Sequence, residues 1–133
     1  MVEAFNYSQE LKQYLHRIIR RVDGLYAIIV SDRDGVPVIR AATENVPELA
    51  LRPGFLATFS TGTDQASKLG LSRNKAIVSM YTSYQVVQLS KLPLILSFVA
   101  SSQANTGVLL GLENELSDLL KDIKAAVDIT VSQ

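Results

Sequence analysis

The chain has 133 residues, 47% of them hydrophobic and 20% charged, so residues 1–133 are expected to fold as a single globular domain. Thirteen basic residues balance thirteen acidic ones and cysteine is absent, which argues against nucleic-acid binding and excludes disulfides, thiolate zinc sites and thiol nucleophiles. The longest apolar run, around Leu92 to Ala100, is too short to cross a bilayer, and the Met-Val-Glu start has neither a leader pattern nor an acylation glycine; a membrane position would be borrowed from another chain.

Leu11, Leu15, Ile18 and Val22 recur at steps of three and four, one face of an N-terminal helix. Gln13, Arg17, Arg20 and Arg21 lie on its other side, and Gly24 suits its C-terminal cap. Leu25 to Val30 reads as a first strand, apolar at every position. Asp32-Arg33-Asp34-Gly35 follows, then a second run from Val36 to Ala42. Two strand-like runs around Asp-Gly predict a β-hairpin with a tight turn at Asp34-Gly35. Pro37 cannot donate to a ladder, which places the second strand at a sheet edge.

Pro47 and Pro53 suit the start of a middle helix, from about 48 or 53 to 69, whose main face carries Phe55, Phe59, Gly62, Ala66 and Leu69. Gly62 leaves room there for another backbone to come close. Strands are predicted near 75–81, 84–90 and 93–101, joined at Thr82-Ser83 and at Ser90-Lys91-Leu92-Pro93. A C-terminal helix places Val108, Leu109, Leu112, Leu116, Leu119, Leu120, Ile123 and Val127 on one arc, with Gly107 and Gly111 beside it. The first and fifth strands are apolar throughout, which implies central positions buried on both faces. The simplest sheet is antiparallel, of order 2-1-5-4-3, with helices on both faces.

No catalytic constellation emerges. Asp32, Asp34 and Gly35 resemble the opening of a calcium loop, but its twelfth position would be Thr43 or Asn45 rather than glutamate. A hairpin turn is the simpler reading. His16, the only histidine, lacks a visible nucleophile to serve. Glu115, Asp118 and Asp122 form a solvated helix stripe, with Lys121 and Lys124 nearby. The glycines are not in phosphate-loop order. No cofactor, metal or catalytic residue is expected, and the chain is read as a non-enzyme.

The informative feature is a surface. The third strand, Ala76 to Tyr81, contains neither proline nor charge, although it lies at an edge. Bare edges recruit other strands. Ile77, Val78, Ser79 and Met80 would present unpaired backbone groups, and Phe59, Gly62, Thr63 and Ala66 of the middle helix would flank them. Either this is a dimerisation surface, or the small residues only let the helix approach its own sheet.

Five stretches, "SDRDGVPVI" (31–39), "LRPGF" (51–55), "TDQASKLGLS" (63–72), "YQVVQ" (84–88) and "ASSQANTG" (100–107), together resemble the roadblock/LC7 family. The resemblance is to its kinase-scaffold branch in the lysosomal Ragulator complex, and it runs from about Val22 to Leu112. It implies an α/β (α+β) profilin-like sandwich with the N- and C-terminal helices on one face and the middle helix on the other. It also implies a non-catalytic adaptor that pairs with a second roadblock subunit through the middle helix and third strand. A lipidated anchor subunit would hold the heterodimer on the cytoplasmic face of late endosomes and lysosomes. There it would recruit Rag GTPases for amino-acid signalling to the mTOR complex and bring MEK near ERK. A different class of reading is a homodimeric regulator of a small GTPase, for which Arg33 at the hairpin tip would be the exposed arginine.

Overall fold

The structure, a computed structural model, describes residues 2–132 apart from 33, 53, 56, 58–75 and 92–93; side chains are described for 9–123 and 125 among these. Helix α1 spans Val2–Arg21. Strands β1 (Leu25–Ser31) and β2 (Pro37–Ala42) follow, then a 3-10 turn at Glu48–Leu51. Gly54, Phe55 and Ala57 are helical, which agrees with the start of the middle helix; the rest of that expected helix lies outside the described residues. Strands β3 (Ala76–Met80), β4 (Tyr84–Lys91) and β5 (Leu94–Ser101) lead to helix α2, Thr106–Ser132.

The five strands form one antiparallel sheet in the order β2-β1-β5-β4-β3, the order that the apolar runs predict. β1 and β5 are central, and every residue along them from Ala27 to Val30 and from Leu94 to Ala100 is buried. Period-two alternation then sorts their residues onto two faces. Ile28, Val30, Leu96, Phe98 and Val87 point toward α1 and α2 and pack with Leu15, Ile18, Leu109, Leu112 and Leu116. Ala27, Ile29, Val86 and Val99 point the other way and pack with Ala50 and Phe55.

Three local expectations need correction. The first hairpin does not turn on Asp34-Gly35 alone. β1 ends at Ser31 and β2 begins at Pro37, with a register shift between Val30 and Ser31. Asp32 closes this longer loop: its Oδ1 accepts from the Asp34 and Val36 amides at 2.9 and 3.0 Å, and its carbonyl accepts from the Gly35 amide. Such an Asx turn holds a five-residue connection that pattern reading compresses to two. Second, Ile19 joins the buried face of α1, which is wider than steps of three and four suggest. Third, Val108 belongs outside the buried arc of α2: it is exposed, while Leu109, Leu112, Leu116, Leu120 and Ile123 are buried. Gly24 does cap α1, with φ at +82°.

Candidate partner interface

The two sheet edges differ. At the β2 edge the Thr43 amide donates to the Tyr26 carbonyl at 2.8 Å. Antiparallel pairs alternate between bonded and non-bonded, so Ala41 and Ile39 also bond inward while Val38, Arg40 and Ala42 point their backbone groups outward. Pro37, the charge on Arg40 and the register shift opposite Val30 and Ser31 blunt this edge.

β3 carries none of these devices. The Tyr81 amide donates to the Tyr84 carbonyl at 2.8 Å, closing the Thr82-Ser83 turn. By the same alternation Ser79 and Ile77 bond inward to Val86 and Gln88, so the outward N–H and C=O groups belong to Ala76, Val78 and Met80. Their side chains stand on the α1/α2 face, because Val78 lies opposite Val87 and Met80 opposite Gln85. Val78 is 41% and Met80 58% exposed. Ile77 and Ser79 are half-buried on the other face. There the Tyr81 ring stacks on Tyr84 at 4.6 Å and meets Phe55 at 6.0 Å. Burial, with the Tyr81 phenol adding to it, pushes the Tyr84 phenol above its ordinary range. Phe59, Gly62, Thr63, Ala66 and Arg33 lie outside the described residues.

A buried polar clamp stands beside the edge. Gln85 Nε2 donates to the carbonyls of Ser101 and Ala104, both at 3.0 Å, and its Oε1 accepts from Thr106 Oγ1 at 2.7 Å. These bonds fix the start of α2 against β4. Gln88 is less well served: Nε2 donates to Ser97 Oγ at 2.8 Å, but Oε1 is buried without a partner among the described residues. Sequence pattern misses both glutamines, since "YQVVQ" shows only that polar residues interrupt an apolar strand and not what they face.

Several of the groups weighed for chemistry have structural partners. Arg21 Nη2 donates to both carboxylate oxygens of Glu115, at 2.8 and 2.6 Å, joining α1 to α2 at the surface. The hydrogen bond and charge of Glu115 raise the Arg21 pKa further. Arg17 lies over the Tyr14 ring at 5.9 Å. Asp32 serves the loop. Among the described residues no three His, Cys, Asp or Glu side chains gather to hold a metal, and no helix is long and apolar enough to cross a membrane.

Comparison with known proteins adds to this geometry. Residues 9–127 match the family described as mitogen-activated protein kinase kinase 1 interacting. The Ragulator complex protein LAMTOR3-B of Xenopus laevis is 58% identical over 122 residues, covering 92% of this chain and 99% of that one. The Ragulator complex protein LAMTOR3 of Homo sapiens is 54% identical over 123 residues, with the same coverage of 92% and 99%. Among solved structures, the roadblock/LC7 domain from Streptomyces avermitilis superposes with a TM-score of 0.64 at 16% identity, over 87% of this chain and 96% of that one. The gliding protein MglB from Thermus thermophilus gives 0.66 at 15%, over 84% and 85%. Those two show the fold alone. With the sheet order, the matched span and the identity to these relatives in agreement, the chain belongs to the mitogen-activated protein kinase kinase 1 interacting family, on a roadblock/LC7 fold.

Proposed function

We propose that residues 1–133 form one roadblock/LC7 domain acting as a non-catalytic scaffold subunit of a Ragulator complex. It pairs with a second roadblock subunit through Ile77, Val78, Ser79 and Met80 of β3, together with Phe59, Gly62, Thr63 and Ala66 of the segment before it. The observation that carries this reading is the bare β3 edge, with the outward ladder groups of Ala76, Val78 and Met80 and no charge or proline to deter a second strand. Strand pairing supplies direction, and apolar burial around it supplies most of the affinity. The names of the relatives support the complex, and the family description supports a kinase partner.

In this reading the heterodimer sits on the cytoplasmic face of late endosomes and lysosomes, held by a lipidated anchor subunit rather than by the chain itself. It recruits Rag GTPases for amino-acid signalling to the mTOR complex, and it brings MEK and ERK together. The test is fluorescence localisation of the tagged chain in cells with and without the anchor subunit, combined with co-isolation of MEK and Rag GTPases. Lysosomal puncta that disperse when the anchor is removed, and both partners recovered with the wild-type chain, are expected. Puncta that persist without the anchor would place the membrane contact on this chain instead.

A further inference from the structure

Charge is unevenly spread on this chain, although its basic and acidic residues balance. At 3.6 residues per turn, Gln9, Lys12, Gln13, His16, Arg17 and Arg20 share an arc of roughly 140° on α1, opposite the apolar Leu11, Leu15, Ile18 and Val22. All but the half-buried His16 are exposed. No carboxylate falls inside this arc: Glu10 borders it and Asp23 follows the last turn. Among the described residues Lys12, Arg17 and Arg20 make no ion pair, whereas Arg21, beyond the arc, is paired with Glu115. Arg17 rests over the Tyr14 ring at 5.9 Å, a contact that leaves its charge unneutralised. On α2 the exposed Glu115, Asp118 and Asp122 carry the opposite sign.

The crest of α1 is therefore complementary to an anionic partner, and its lack of apolar groups narrows the kind. None of the large hydrophobic side chains exposed among the described residues lies on α1. A protein interface needs an apolar, desolvated centre with charge at its rim. A bilayer leaflet needs no such centre: its surface potential attracts basic side chains, each worth about a fivefold gain in binding. From Gln9 to Arg20 the crest runs about 16 Å along one helix, a length that lies flat on a leaflet. We propose that Lys12, Arg17 and Arg20 rest on an anionic lipid leaflet, with the acidic side of α2 turned away from it. This deepens the membrane reading above and rests on it. Three cations are too few to hold the chain in physiological salt; they orient a subunit that the anchor already holds.

The probes are vesicles of phosphatidylcholine, either plain or with about one third phosphatidylserine. At low ionic strength the full chain alone should bind the phosphatidylserine vesicles roughly tenfold or more tightly than Lys12→Gln/Arg17→Gln/Arg20→Gln. The two forms should be alike on plain phosphatidylcholine, and the difference should vanish in high salt. The chain has no cysteine of its own, so single dyes can be placed at Gln13→Cys on the crest and Asp118→Cys on α2. Spin-labelled lipid headgroups should quench the first and spare the second. Equal binding of the two forms overturns the proposal, as does quenching at Asp118→Cys equal to or stronger than at Gln13→Cys. So does a protein subunit recovered from cells with wild type but not with the triple variant, which would give the crest to an acidic protein. Because the chain is tested alone, the fate of lysosomal puncta without the anchor is a separate result that judges the reading above.

Discussion

Gly35 holds a φ of +82° inside the loop that Asp32 closes. A β-branched side chain is strained there, so Gly35→Val should lower stability by about 1 kcal/mol or more, read as a lower urea midpoint at unchanged slope. Gln88 offers a test of the opposite kind. Among the described residues its Oε1 is buried without a partner, and its Nε2 donates to Ser97. Ser97→Ala alone strands the Nε2 group as well and should cost about 1–3 kcal/mol, whereas Gln88→Met with Ser97→Ala removes both partners and should be near neutral. A double variant as damaged as the single would mean that Gln88 is held by something other than this pair. Tyr84 contributes to the alkaline side of the stability profile. Its folded pKa is raised above the ordinary 10.0, chiefly by burial. Its share of stability is therefore full below the unfolded value and is lost as pH rises through the folded one. Denaturation midpoints from about pH 9 upward should fall, and Tyr84→Phe should flatten that fall.

At the scale of elements, the apolar runs were strong guides because burial on both faces leaves no room for polar residues. "LYAIIV" and "LILSFVA" therefore announce β1 and β5 as the sheet centre, and the remaining order follows from short turns. Leu96 is fully buried between β1 and β4, so Leu96→Ala should cost roughly 2–5 kcal/mol, measured by chemical denaturation. An unchanged midpoint would contradict the central place of β5. Loops were less legible. Asp32 closes its turn with a side chain, and periodicity carries no sign of that. Val108 shows the same limit on a helix: an arc counted by apolarity includes it, yet it lies beyond the buried arc of Leu109, Leu112 and Leu116 and is exposed. The direction of ladder groups on β3 was also hidden. Register decides it, and register appears only when the strands pair. Ser79→Pro would therefore strike the bond to Val86 within the sheet, whereas Val78→Pro removes an outward donor.

For the whole molecule, the asymmetry of its edges is what the proposed pairing rests on. Pro37, Arg40 and a register shift blunt β2, and among the described residues β3 carries no such device. A stable partner should bury on the order of 1,200–2,000 Å² in total, more than one strand supplies, so neighbouring apolar surface must join in. The most direct measurement is sedimentation velocity of the chain with the second roadblock subunit, comparing wild type with Val78→Pro. Proline is tolerated at an edge position whose N–H points outward, so the variant should keep the wild-type circular dichroism. Wild type should sediment as a one-to-one complex, and Val78→Pro should lose roughly tenfold or more in affinity, about the 1.4 kcal/mol of a deleted ladder bond with its local strain. Co-sedimentation of a folded Val78→Pro as strong as that of wild type would contradict pairing through β3.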